Sequence, residues 1–106
     1  MIKKVAVIGA GIMGNQIAMQ VAIHGYEVVC YDLSEKMVEK AAEFSKGWFE
    51  KRIAKGKMTA EDADAIQKRL IFTHDIKIAG TDADLVIEAV SDVVAIKKAA
   101  LSQMDQ

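Results

Sequence analysis

Three glycines at fixed spacing, in Gly9-Ala10-Gly11-Ile12-Met13-Gly14, constrain this chain more than any other feature. They follow the apolar run Val5-Ala6-Val7-Ile8 and open a stretch over residues 12–24 rich in Ala, Ile, Met and Gln, closed by Gly25. A continuous apolar run reads as a strand covered on both faces, and a glycine after a helical stretch reads as its stop. Turning such a strand straight into a helix asks something different of each glycine. Gly9 permits the tight turn, Gly11 leaves the backbone open where a side chain would stand, and Gly14, with Ala18 one turn later, lets the helix lie close on the sheet.

The alternation continues. Further β-type runs occupy residues 26–31, 70–73 and 85–90. A long helix is expected over 35–55 with Ser34 as N-cap, and another over about 60–68, where Thr59 followed by Asp62 resembles a capping box. A short helix separates the third and fourth strands. A last helix is expected over 93–104, capped by Asp92, with Val93, Ile96, Ala100, Leu101 and Met104 on one apolar face. Strands alternating with helices predict an α/β fold: a Rossmann-type doubly wound parallel sheet of order 3-2-1-4, with a helical pair between strands two and three. With 106 residues, the whole chain (1–106) is one partial domain of that kind.

Composition narrows the function classes. Fourteen cations against 15 acids leave a net charge of −1, so nothing global favours nucleic acid or a membrane surface. No apolar run approaches the roughly 18 residues of a transmembrane helix. A single cysteine, Cys30, gives neither an intrachain disulfide nor a metal-binding pair, so no metal is expected. With no signal-type apolar core behind Met1-Ile2-Lys3-Lys4, a cytoplasmic location is the expectation. Charge is uneven all the same. Lys46, Lys51, Arg52, Lys55 and Lys57 face only Glu50 over residues 46–57, which fits either a solvated helix end complementing its dipole or an anion site.

The glycine loop itself has a chemical reading. A helix beginning there offers unpaired N–H donors and a partial positive charge, the recognition chemistry of phosphate. The second strand ends at Asp32, 18 residues after Gly14, where a carboxylate can accept from both hydroxyls of a ribose. Leu33 and Ser34 follow it, with no arginine to hold a 2′-phosphate. NAD is therefore favoured over NADP.

At the level of longer segments the chain resembles the NAD-binding N-terminal domain of the 3-hydroxyacyl-CoA (3-hydroxybutyryl-CoA) dehydrogenases. The resemblance rests on VAVIGAGIMGNQIA (5–18), KGKMTAEDAD (55–64) and ADLVIEAV (83–90). It implies that Gly9, Ala10, Gly11, Ile12, Met13, Gly14 and Asp32 bind NAD, and that Asp92 and Lys97 line the nicotinamide side. The family mostly has Pro-Glu or Val-Glu where this chain has Ser91-Asp92, and Asp92 has an alternative role as a helix cap. The resemblance also makes Lys51, Lys55 and Lys57 candidates for the phosphates of a coenzyme A substrate.

The reaction implied is interconversion of 3-hydroxyacyl-CoA and 3-ketoacyl-CoA in fatty acid metabolism, with hydride passing to the nicotinamide. Its histidine acid/base, glutamate, serine and asparagine belong to segments like Ser-Asn-Thr-Ser-Ser and His-Phe-Phe-Asn-Pro, which lie past Gln106. The chain thus carries no expected catalytic residue and is expected to be inactive alone. His24 reads as a helix-end residue, His74 as a turn residue and Cys30 as a small core residue. The alternative is a self-standing, non-catalytic NAD-binding or assembly module. A chain ending at Gln106 would also leave 85–90 as an exposed apolar edge strand, predicting a homodimer that pairs Leu85 to Val90 with its copy.

Overall fold

The computed structural model describes residues 2–90 and 93–98. At its centre is β1 (Lys4–Ile8), whose Val5, Ala6 and Val7 are all buried, as a strand covered on both faces and flanked by sheet neighbours on both edges must be. It pairs in parallel with β2 (Glu27–Tyr31) and with β4 (Leu85–Val90), and β2 pairs in parallel with β3 (Leu70–Thr73). The order β3-β2-β1-β4 is the expected one.

Four helices connect the strands: α1 (Ile12–Ile23), α2 (Glu35–Ala54), α3 (Ala60–Arg69) and α4 (Ile76–Gly80). Their starts are set by local side-chain caps. Ser34 Oγ accepts from the Met37 N–H at 3.3 Å, Thr59 Oγ1 from the Asp62 N–H at 3.1 Å, and Asp75 Oδ1 from the Lys77 N–H at 2.9 Å. At the far end of α1, Gly25 takes the positive φ of +100° that ends the helix. The Ala22 carbonyl accepts the Gly25 N–H at 3.1 Å and is also reached by the Arg69 guanidinium, which donates to it twice, at 3.2 and 2.8 Å, and so fastens the end of α3 to the end of α1.

The core gathers Val5, Val7, Ala18, Ala22, Val28 and Cys30 with Phe49 of α2 and Ile66 of α3. Phe49 is fully buried and meets the neighbouring Trp48 ring edge-on at 5.0 Å between centroids. This is why the helical pair belongs to the same core as the sheet rather than to a separate lobe.

The end of the chain departs from expectation. Residues expected to begin the last helix form β5 (Val93–Lys98), antiparallel to β4 in a ladder from Val90↔Val93 to Leu85↔Lys98. An apolar stripe of helical period loses here to two stronger demands. Val93 and Val94 are β-branched, and a strand at that place satisfies the whole outer row of β4 backbone groups. Asp92, expected to cap the helix, lies outside the described residues. β4 is consequently an inner strand, so the premise for a dimer through Leu85 to Val90 is withdrawn, and β5 takes the edge.

One carboxylate joins the two ends of the central pair of strands. Asp84 Oδ2 accepts from the backbone N–H of Lys3 at 2.9 Å and of Lys4 at 3.0 Å, while Lys4 Nζ donates to the Thr81 carbonyl at 2.6 Å. Those backbone bonds, that of Lys3 first, hold the Asp84 carboxyl below its ordinary value of 3.8. A carboxyl whose pKa is lowered by folding stabilises the fold above its unfolded value and loses that contribution as pH falls below it. Asp84→Asn is therefore expected to lower the melting temperature at neutral pH. The gap to the parent chain should close on acidification below about pH 4, as followed by circular dichroism.

Candidate functional site

Where β1 ends, the chain has almost no room. Gly9 has a φ of +109°, which disfavours any side chain, and a Cβ there would overlap the Ala89 carbonyl oxygen of β4. A Cβ on Gly14 would overlap the Gly9 carbonyl oxygen itself. The first turn of α1 thus rests directly on the backbone of the β1–α1 turn. Gly11 is different: a Cβ there would meet only the Met37 Cε, at 3.8 Å, an ordinary contact. Nothing inside the protein requires that glycine, so the space it leaves is outward-facing.

The same turn is tied to β2 and β3. The Gly9 N–H donates to the Tyr31 carbonyl at 2.6 Å, and the Asp32 N–H to the Thr73 carbonyl at 3.2 Å. The Asp32 carboxylate accepts the Ala10 N–H on Oδ2 and the Ser34 N–H on Oδ1, each at 2.9 Å. Each oxygen of an ionised carboxylate has a second lone pair, so both can take a further donor. Beneath it lies Cys30, fully buried, whose thiol is pushed up to about 12, by burial first and by the negative Asp32 second. It stays protonated and serves as core.

At the start of α1, Gly11 is the N-cap and makes no side-chain cap, and the first turn contains no acid. The leading N–H groups and the positive end of the helix dipole are therefore available to an anion. Ile12 and Leu33, 82% and 84% exposed, stand as apolar flanks at the ends of the two loops. Between α1 and α2 a cleft of about 180 Å³ opens beside the loop, bounded by Ala10, Gly11, Ile12, Asn15, Met37 and Phe44.

The structure therefore assembles Gly9, Ala10, Gly11, Ile12, Met13, Gly14 and Asp32 at one edge of the sheet, and disperses the other expected residues. Lys51 sits in the last turn of α2, Lys55 is its C-cap and Lys57 follows. By helix rise Lys51 lies roughly 24 Å along α2 from its start beside the loop and Lys55 roughly 30 Å. Lys97 is opposite Val86 in the β4–β5 ladder, not on a helix. Because β5 runs back along β4, Lys97 is carried away from the edge where the glycine loop lies. His24 caps α1 with Nδ1 2.7 Å from the Gln20 carbonyl, and His74 is an exposed residue after β3. Among the described residues no group of histidine, cysteine and acidic side chains could hold a metal ion.

Sequence reasoning missed Asn15. It is only 4% exposed, its Nδ2 donates to the Ala41 carbonyl at 3.2 Å, and its Oδ1 has no partner. A signal was present: Gly11, Asn15, Ala18, Met19 and Ala22 follow the i, i+4, i+7, i+8, i+11 spacing of one helix face. Asn15 is the polar residue on that face.

Comparison with known proteins agrees with this geometry. A family model described as 3-hydroxyacyl-CoA dehydrogenase, NAD binding domain, matches residues 4–106. The 3-hydroxyadipyl-CoA dehydrogenase of Escherichia coli K12 is 41% identical over 103 residues, which are 97% of this chain and 22% of that protein. The peroxisomal fatty acid beta-oxidation multifunctional protein MFP2 of Arabidopsis thaliana is 31% identical over 99% of this chain and 14% of its own length. Among solved structures, a 3-hydroxybutyryl-CoA dehydrogenase from E. coli K12 aligns with a TM-score of 0.80 at 41% identity, over 88% of this chain and 20% of that one. An (S)-3-hydroxybutyryl-CoA dehydrogenase from Ralstonia eutropha aligns at 0.79 and 31% identity, over 88% and 32%. The chain spans about a fifth or less of the curated relatives named here.

The contrast between glycines is testable in the chain itself. Gly14→Ala forces backbone apart and is expected to cost about 3 kcal/mol or more. Gly47→Ala, inside α2 with nothing within 4 Å of the added carbon, is expected to gain up to about 1 kcal/mol. Urea denaturation of the two variants should move the midpoint in opposite directions.

Proposed function

Because the chain belongs to the family of 3-hydroxyacyl-CoA dehydrogenase NAD-binding domains, we propose that it is the NAD(H)-holding part of an oxidoreductase interconverting 3-hydroxyacyl-CoA and 3-ketoacyl-CoA. The observation that carries this reading is the gap at Gly11, set between the uncapped start of α1 and the Asp32 carboxylate. A Cβ on Gly11 would stand in the space that a pyrophosphate needs to reach the α1 donors. Asp32 accepts the two ribose hydroxyls on its remaining lone pairs, and its charge repels a 2′-phosphate, so NAD is preferred to NADP.

When bound, NAD supplies the hydride acceptor. Everything else at this site is binding and orientation. The Gly9–Gly14 backbone fixes the phosphates, and Asp32 fixes the adjoining ribose and keeps Ala10 in place. The exposed Ile12 and Leu33 cover apolar ring faces. Lys51, Lys55 and Lys57 form a basic end of α2 suited to the phosphates of coenzyme A as point charges. No described histidine lies at the glycine loop, so the chain alone holds cofactor without turning over substrate. A reducing compartment such as the cytoplasm fits its one buried thiol. Among the described residues no helix is long and apolar enough to cross a membrane.

The reading is tested by titrating the chain with NADH and following nucleotide fluorescence. NADH should bind more tightly than NADPH. Asp32→Asn should weaken NADH by roughly ten- to a hundredfold, the loss of charge-assisted hydrogen bonds. Unchanged affinity in that variant would remove Asp32 from the site, and absence of any NADH binding would overturn the reading as a whole. With acetoacetyl-CoA and NADH, the chain alone should show no turnover above background.

A further inference from the structure

The side chain that borders the open space at Gly11 is a methionine. A Cβ on Gly11 would meet Met37 Cε at 3.8 Å and no other side chain within 4 Å. We propose that Met37 is a redox-modification site: a peroxide converts its thioether to the sulfoxide, and the added oxygen obstructs the Gly11 gap against the pyrophosphate of NAD(H). This inference rests on the NAD(H) reading of the loop.

Met37 is placed to react. It is half-buried, packing on the core while also lining the cleft that opens beside the loop. A small neutral oxidant can enter that cleft, and among the residues lining it Met37 alone carries sulfur. Met19, only 3% exposed in α1, is shielded by contrast. In the reaction one oxygen atom passes from hydrogen peroxide to sulfur. The O–O bond breaks, an S–O bond forms, sulfur gives up two electrons, and the remaining oxygen leaves as water.

The consequence follows from what the new oxygen faces. A thioether is a weak acceptor and serves here as an apolar wall, whereas a sulfoxide is polar. The sulfur is bonded directly to Cε, the atom turned toward Gly11, and the start of α1 beside that gap has no side-chain cap. A sulfoxide oxygen competes with the pyrophosphate for those N–H groups and sets a negative dipole end against the phosphate charge. The backbone has no cause to move with it, since the Met37 N–H stays on Ser34 Oγ and the Ser34 N–H on Asp32.

The test exposes the full chain to dilute hydrogen peroxide, quenches with catalase, and divides the sample between peptide mass spectrometry and NADH titration by fluorescence. Met37 should gain one oxygen well before Met19. NADH affinity should fall roughly three- to tenfold as Met37 sulfoxide accumulates, and recover after treatment with methionine sulfoxide reductases for both epimers. NAD+ present during exposure should slow oxidation at Met37 and not at Met58, which lies between α2 and α3. Met37→Leu removes the sulfur; whatever its starting affinity, that affinity should be the same before and after peroxide, although the other five methionines remain. Full NADH affinity in a chain carrying Met37 sulfoxide would overturn the proposal and leave the NAD(H) reading standing. So would a loss that persists in Met37→Leu, oxidation of Met37 no faster than that of Met19, or a loss accompanied by disappearance of the folded signal in circular dichroism. Absence of NADH binding before any treatment would overturn both.

Discussion

The contact between the first turn of α1 and the backbone beneath it governs the rest of the molecule. Gly14 lies against the Gly9 carbonyl, and Gly9 lies against the Ala89 carbonyl, with no side chain between. Two helix-to-sheet distances are set by this stack, because β1 and β4 both pass under the same helix start. It also decides where the leading N–H groups of α1 point. A helix lifted by even one methyl would tilt off the loop, and the donors would no longer converge on the space beside Gly11. Close packing and anion recognition are one constraint here, which is why the glycines sit at strict intervals while their neighbours are ordinary apolar residues.

Asp32 does for the loop what the glycines do for the helix. By accepting from both Ala10 and Ser34 it joins the β1–α1 turn to the start of α2. A loop held by its own carboxylate has little left to order when a ligand arrives, and that saving appears as affinity. The carboxylate remains able to accept on its outer lone pairs, so organising the loop does not compete with recognising a ribose. Cys30 beneath it is neutral and buried, so no second charge disturbs that arrangement.

Much of this was legible in the sequence because local and global demands agree. Val5 to Ile8, the glycine spacing and Asp32 each specify one step of a strand–turn–helix–strand unit, and the caps at Ser34 and Thr59 mark helix starts to the residue. The stretch from Val93 was illegible for the opposite reason. Its apolar residues fit a helical period, its first two residues favour a strand, and the decision fell to the unpaired edge of β4, which is a tertiary fact. Asn15 was hidden differently. A polar residue on a buried helix face is visible in the sequence, but which of its atoms lacks a partner depends on Ala41, 26 residues away.

The basic end of α2 exceeds what the helix itself requires. A helix C-terminus carries about half a negative charge, and one cation in the last turn answers it. Here Lys51 and Arg52 occupy that turn, with Lys55 and Lys57 just beyond it. Arg52 partly withdraws from this account, since its guanidinium lies over the Trp48 ring at 5.0 Å. The three lysines remain, and their field is directed outward from a helix whose other end is the apolar cleft at Met37 and Phe44. A ligand lying along α2 would meet apolar walls near the glycine loop and positive charge roughly 24–30 Å away. The separation of those lysines from Asp32 is set by the length of the 20-residue helix between them.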